Sequence, residues 1–417
     1  MALDKQDKVL NVPTLRFPEY TGEWKTSSVK DCLIRLENGA NYDANDIEGL
    51  PMSRIETIST SHIDYSKVGH SANLKNAEHY KMNYGDILFS HINSVRHIGK
   101  TAYYEAEKPL YHGMNLLLLR CGQEIDSKFF FYLLNNRHFL QRCQVLAKQA
   151  VNQASISISD LRKIGIYVPQ HDEQERIAKF LSIIDERITT QIRIIEELKS
   201  EKKYLLEQLF CLPNEQSPRL RIKGHTSQWQ KVRLSDIVNR IVTRNKNNSS
   251  SRVLTIAAQY GLIDQQEFFH KQIASSDLSG YYLLKHGDFA YNKSYSGDYP
   301  WGAVKRLDNY PDGVLSTLYI CFRPNDDVDS DFLCYYFEST KWYRGIMEIS
   351  GEGARNHGLL NMSVEDYFAT RLRIPIIEEQ RDISKMLNTF SQKIKIEEEL
   401  LDRLQKQKAF LLTSMFV

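Results

Sequence analysis

The side chains able to act on a substrate are few in this sequence, and their spacing suits recognition better than catalysis. His97-Ile98-Gly99-Lys100-Thr101 ends like a phosphate-binding loop, but Ser94 stands where such a loop needs its leading glycine, so the backbone cradle lacks its first turn. Gly351-Glu352-Gly353 is too short for a dinucleotide or methyl-donor loop, and no buried strand followed by a ribose-binding acid accompanies it. The twelve histidines include no HExxH and no HxE paired with CxxC, which removes the zinc hydrolase and deaminase arrangements. No GxSxG elbow occurs either. Glu196-Glu197 and Glu397-Glu398-Glu399 stand among Lys and Arg on helical stretches, where carboxylates form a solvated face.

What remains is hydrogen-bonding chemistry. After Gly85-Asp86 and a strand come Ser90, His91, Asn93, Ser94, Arg96, His97 and Lys100; after Gly287-Asp288 and a strand come Asn292, Lys293, Ser294, Tyr295 and Ser296. Amides and hydroxyls on such loops can pair with base edges, while the cations hold phosphates and set register. A second matched place offers Lys148, Gln149, Asn152 and Gln153 in one half and Arg355, Asn356 and His357 in the other. The stretch Arg240 to Arg252, RIVTRNKNNSSSR, is basic and free of acids; its Asn/Ser run predicts a flexible loop that contacts phosphate through Arg244 and Lys246. For any single residue of these sets the alternative is an ordinary solvated loop.

The elements that carry these residues are written twice. The segment from Pro169 (PQHDEQERIAKFL) lies over the one from Pro375 (PIIEEQRDISKML) without gaps as far as Phe210 over Phe416. Identical pairs include Pro169/Pro375, Glu173/Glu379, Gln174/Gln380, Ile177/Ile383, Leu181/Leu387, Ile188/Ile394, Leu198/Leu404, Lys202/Lys408 and Phe210/Phe416. Chance composition would give only roughly two or three matches. LRFPEYTGEW from Leu15 resembles LRIKGHTSQW from Leu220, so Trp24 matches Trp229, and Ser157 to Asp160 face Ser363 to Asp366. Short β-branched and aromatic runs such as Asn115 to Arg120 and Leu318 to Arg323 read as strands. Asp126 to Ala147 and Asp329 to Ile349 read as helices, which makes each globular part α+β.

In the repeated segment, Leu181, Ile184, Ile188, Ile195, Leu198, Leu205 and Leu209 fall on one heptad seam, broken by Gln191 and Lys202. Leu387, Phe390, Ile394, Leu401, Leu404, Leu411 and Met415 repeat it, with breaks at Glu397 and Lys408. Each helix of about 38 residues would reach roughly 57 Å. If the halves are related by a pseudo-twofold axis, the two helices pair antiparallel and space the globular parts; one bundle of ordinary amphipathic helices is the alternative.

Bulk properties agree with a folded chain of two or three domains: 417 residues, 42% hydrophobic and 25% charged. Lys plus Arg number 54 against 52 acids, a net charge of +2, so any nucleic-acid surface must be local. The start, MALDKQDKV, lacks the apolar core of a signal peptide and no run spans a membrane, which predicts a cytoplasmic protein. The six cysteines, Cys32, Cys121, Cys143, Cys211, Cys321 and Cys334, form no CxxC pair and read as reduced packing residues.

Taken together, the two Pro-x-x-x-Glu-Gln helix starts, the two Leu-Leu-x-x-x-Phe helix ends and the domain starts holding Trp24 and Trp229 resemble the specificity subunit of type I restriction-modification enzymes over essentially the full length. The resemblance implies two target-recognition domains, each reading half of a bipartite asymmetric DNA site, with the repeated helices as an antiparallel spacer. It implies a non-catalytic scaffold whose partners are double-stranded DNA, two methylation subunits and two restriction subunits, with no membrane. S-adenosylmethionine, ATP and Mg²⁺ are then expected only in those partners and no cofactor in this chain. The expected fold is α+β: recognition domains over 1–168 and 213–374, spacer helices over 169–212 and 375–417. Base-contacting residues do not carry over by resemblance, so the candidate DNA-binding set rests on loop chemistry: Ser90, Asn93, Ser94, Arg96, Lys100, Lys148, Asn152, Gln153, Arg244, Lys246, Asn292, Lys293, Ser294, Tyr295, Arg355, Asn356 and His357. The rival readings are a coiled-coil adaptor that binds proteins without DNA specificity, and a nuclease with an unrecognised acidic site.

Overall fold

The computed structural model describes residues 11–43, 46–58, 62–150, 153–257, 260–269, 277–294, 299–350 and 359–417, without the side chains of Arg96, Ala150, Asn247 and Phe269. The chain divides into two compact units: residues up to Ile192 together with Glu399–Val417, and Arg193–Glu398.

The first unit begins with β1 (Lys25–Ser28), β2 (Leu33–Asn38), β3 (Leu50–Met52) and β4 (Gly69–Ser71), then a single turn of helix, α1 (Ala77–Tyr80). Next come β5 (Ile87–Phe89), β6 (Ile92–Asn93), β7 (Thr101–Tyr103) and β8 (Leu117–Cys121). Helices α2 (Ser127–Leu134) and α3 (Arg137–Leu146) follow, then β9 (Lys148–Ala150), β10 (Gln153–Ser155), α4 (Ile158–Arg162) and β11 (Gly165–Val168). An antiparallel sheet has the order β2-β8-β5-β7, a smaller one the order β6-β10-β9, and β1 pairs with β11. Helix α2 starts where it does because the Asp126 side chain accepts from the Phe129 amide at 2.6 Å. Its residues Phe129 to Leu134 are all buried, as expected of a core helix that is apolar all round. Trp24, Phe129 and Phe416 meet in tilted and edge-on contacts with centroids 5.4 to 6.3 Å apart.

The second unit repeats the plan with β12 (Gln230–Arg233), α6 (Leu234–Ile237), β13 (Val238–Arg240), β14 (Leu254–Ala257), β15 (Gly261–Asp264) and α7 (Gln265–Phe269). Strands β16 (Tyr282–Lys285), β17 (Phe289–Asn292), β18 (Ala303–Arg306), β19 (Asp312–Leu315) and β20 (Ile320–Pro324) follow. Helices α8 (Ser330–Glu338), α9 (Tyr343–Ile349) and α10 (Val364–Ala369) then precede β21 (Arg371–Ile374). The sheet order β13-β20-β17-β18 matches that of the first unit, and β12 pairs with β21. Asp329 caps α8 through the Phe332 amide, and Trp229, Phe332 and Phe210 reproduce the aromatic cluster.

Two long helices, α5 (His171–Leu209) and α11 (Ile377–Ser414), hold 39 and 38 residues; each extends for about 58 Å. Every heptad position named from the sequence is buried or half-buried, Leu181 and Leu387 completely. In the first unit Leu181 and Ile184 share a core with Leu411, Met415 and Phe416; in the second, Leu206, Leu209 and Phe210 share one with Ile383 and Leu387. Within each unit, then, the start of one helix lies beside the end of the other, the antiparallel sense expected of halves related by a pseudo-twofold axis. The polar break Lys202 reaches Glu338 at 2.8 Å, and its twin Lys408 reaches Asp185 at 2.5 Å.

All six cysteines are free. Burial pushes the thiols of Cys143, Cys321 and Cys334 up to about 12, so they persist as protonated packing residues. Among the described residues no helix is long and apolar enough to cross a membrane, and no cluster of His, Cys, Asp and Glu could hold a metal ion.

Candidate nucleic-acid interface

In the first unit the central strands leave the two predicted polar segments side by side. Phe89, the last residue of β5, stands opposite both Thr101 of β7 and Leu117 of β8, so the loop 90–100 and the turn before β8 emerge at one end of the sheet. Strand β10 then pairs with β6 on one side, Ala154 opposite Asn93, and with β9 on the other, Ala154 opposite Gln149. Asn93, Lys148, Gln149 and Gln153 are thereby gathered on one small sheet; Lys148, Gln149 and Gln153 are exposed.

The loop 90–100 is tied by its own side chains. Ser90 is 1% exposed; its Oγ accepts from the Asn93 amide at 3.3 Å, and its backbone exchanges hydrogen bonds with Gly99 and Lys100. Ser90 therefore holds the loop from inside, a correction to its reading as a base contact. Asn93 Oδ1 accepts from the Ser94 amide at 2.8 Å, and the exposed Ser94 hydroxyl meets His97 Nδ1 at 3.1 Å. His91 is buried, and burial lowers it to about 4, so it is neutral near pH 7 and adds no cation to the loop. Lys100 is half-buried. Thr101, the residue that would have ended a phosphate loop, is buried in β7, where its hydroxyl accepts from the Asn135 amide. The side chain of Arg96 and all of Asn152 lie outside the described residues.

The second unit repeats the strand arrangement. Tyr291 of β17 stands opposite Ile320 and Asn292 opposite Ala303, so the loop after β17 and the turn before β20 share one end of the sheet. Ser294 bridges to Leu359, and the Leu360 amide donates to the Lys293 carbonyl at 3.0 Å. Asn292 Oδ1 accepts from the Ser294 amide at 3.0 Å, shaping the turn. Tyr295, Ser296, Arg355, Asn356 and His357 lie outside the described residues.

The basic stretch 240–252 is not the flexible loop its composition predicts. Asn245 is fully buried and closes a turn: its Oδ1 accepts from the Ser250 amide and the Ser249 hydroxyl, and its Nδ2 donates to the carbonyls of Ser250 and Leu278. The exposed Arg244 donates to the Gly280 carbonyl and lies 4.8 Å over the Tyr282 ring. Arg252 lies 4.1 Å over Tyr310, and Arg240 pairs with Glu365 at 3.6 Å. Lys246 is exposed. An Asn/Ser run looks mobile by composition, but one buried asparagine can satisfy four backbone and hydroxyl groups.

The repeated signature residues do structural work inside each unit. Glu173 is 1% exposed, accepts from Nε and Nη2 of Arg16 at 2.8 and 2.7 Å and accepts from the Trp24 indole at 3.3 Å; Glu379 does the same with Arg221 and Trp229. Gln174 accepts from the Asp126 amide and donates to the Pro169 carbonyl, and Gln380 from Asp329 and to Pro375. The Asp of each Gly-Asp turn is buried and bidentate to an arginine on the neighbouring strand, Asp86 to Arg120 and Asp288 to Arg323. Sequence reasoning found these positions as repeats but not as buried ion pairs. Trp matched to Glu in both copies was the available signal.

Known proteins show the same pattern. The family profile described as "Type I restriction modification DNA specificity domain" matches residues 22–200 and again 226–406. A protein of Methanocaldococcus jannaschii named as a type I restriction enzyme MjaX specificity subunit is 44% identical over 199 residues, 46% of either chain. One from Mycoplasma genitalium, named as a type I specificity subunit, is 30% identical over 117 residues, 28% of this chain and 30% of that one. The matched stretches thus span about half or less of those relatives. Among solved structures, the S subunit of a type I restriction-modification system from M. genitalium superposes with a TM-score of 0.55 at 18% identity, covering 97% of this chain and 99% of that one. A chain from a type I R-M system studied for complex assembly gives 0.54 at 15%, covering 93% and 96%. These two likenesses concern the fold. With both copies of the profile matched across most of its length, the chain belongs to the family of type I restriction-modification DNA specificity domains.

Proposed function

We propose that this chain is the non-catalytic sequence-reading subunit of a type I restriction-modification complex, in which each unit reads one half of a bipartite, asymmetric DNA target. The observation that carries this reading is the pairing, in the first unit, of two polar segments far apart in sequence, with Asn93 joined through Ala154 to Lys148, Gln149 and Gln153 on one small sheet, and in the second unit the bridging of Lys293 and Ser294 to Leu359 and Leu360. The two faces carry different side chains, Asn93, Lys148 and Gln153 against Asn292, Lys293 and Ser294, so two unlike half-sites are expected. The described candidates exposed enough to meet DNA are Asn93, Ser94, Lys100, Lys148, Gln153, Arg244, Lys246, Asn292, Lys293 and Ser294. Methylation subunits, two by the repeat's symmetry, would bring S-adenosylmethionine; restriction subunits, also two, would bring ATP and Mg²⁺. The test is to co-express the chain with methylation subunits and sequence the methylated sites. Exchanging 213–374 for the same region of a relative should change one half of the target; a swap that alters both halves, or a complex without sequence preference, defeats the reading.

A further inference from the structure

The turn between Gly113 and β8 stands at the same sheet end as the loop after β5. Asn115 occupies it in left-handed backbone, φ 67°, with its side chain exposed. It lines a recess of about 280 Å³ with Lys148, Gln153 and Ser155, over an apolar floor of Ile55, Ile92 and Ala154. That volume is several times the roughly 30 Å³ share of one liquid water. Among the described residues, the side chains of Asn115, Lys148 and Gln153 make no hydrogen bond or ion pair with the protein, although Asn93 beside them is engaged within its loop.

A carboxamide presents a donor and an acceptor side by side, the complement of adenine N7 and N6 in the major groove, while an ammonium suits a phosphate. We propose that this recess is an adenine-reading subsite of the first unit: Asn115 pairs with the base edge, Gln153 flanks it as a second specificity-determining amide, and Lys148 holds the adjoining phosphate. The matched turn of the second unit carries Leu318, 74% exposed, at the equivalent place before β20. A leucine there offers no polar group, so the two units differ at this position in kind. The inference rests on the DNA-reading function proposed above.

The test uses the complex assembled with its methylation subunits, a randomised DNA library and sequencing of methylated sites. Asn115→Gly removes the amide while keeping a backbone that glycine adopts freely, so thermal unfolding should be unchanged. One A·T pair of the first half-target should lose about tenfold in discrimination, with the second half untouched. Asn115→Asp, unable to donate to N7, should disfavour adenine at the same pair. The subsite is overturned if Asn115→Gly leaves the first half intact, or relaxes a G·C pair instead. If that happens while Asn292→Ala still relaxes the second half, the DNA-reading function stands and only the subsite falls. A wild-type complex without sequence preference overturns both.

Discussion

Glu173 and Glu379 are the residues on which each domain start is hung, since each holds an arginine and an indole from the segment before the first strand. Removing one partner of a buried pair leaves the other charge uncompensated and costs about 3–5 kcal/mol. Glu379→Ala should therefore lower the stability of the second unit by about 3 kcal/mol, read as an earlier denaturant midpoint, and leave the first unit's transition in place. Histidine gives the first unit a second distinguishing property. Burial lowers His91 and His112 from 6.5 to about 4, so between those values the unfolded chain binds protons that the folded unit refuses. Their stabilising contribution is full above pH 6.5 and is lost as pH falls toward 4. Calorimetry should find the first unit's transition falling between about pH 7.5 and pH 5, and His91→Leu should flatten that dependence. The glutamate was visible in the sequence because it recurs with its tryptophan; burial of His91 was not, because a histidine among serines and asparagines reads as surface.

At the scale of elements, the long helices were the most legible part of the fold. A seam that repeats at heptad spacing in two copies specifies both the helix and the face it buries, and Leu181 and Leu387 are fully buried where the seam predicts. Leu387→Ala should cost about 2–5 kcal/mol through the cavity it leaves, with the loss confined to the second unit in hydrogen-exchange measurements. The loops were less legible. Composition marked 240–252 as mobile, whereas Asn245 folds it into a closed turn, and polar character marked Ser90 as outward, whereas it faces in. Both errors have one cause: side chains of Ser and Asn bond as readily to their own backbone as to a ligand, and only the path of the chain decides between them. The turn at Asn115 is illegible for the opposite reason, since it adjoins four buried apolar residues, Leu116 to Leu119, and nothing local sets it apart.

For the whole molecule, the repeat announces two units, but a linear reading does not reveal that the first is discontinuous. Its core is completed by Leu411, Met415 and Phe416, and the Leu15 amide bonds to the Ser414 carbonyl, whereas the second unit is one uninterrupted stretch, Arg193–Glu398. That difference fixes an order of events on the ribosome. Trp24 and Phe129 leave the exit tunnel early but wait for Phe416 before their cluster is whole, while the second unit can close on itself first; domains otherwise fold from the N-terminal side as they emerge. The early segment is therefore the one exposed to chaperones and proteases for longest. Pulse-labelled hydrogen exchange on ribosome-bound chains arrested at increasing lengths should protect Phe332 and Phe210 before Trp24 and Phe129. A chain stopped after residue 410 should keep a protease-resistant second unit and lose the first, and protection appearing first around Trp24 would reverse that order.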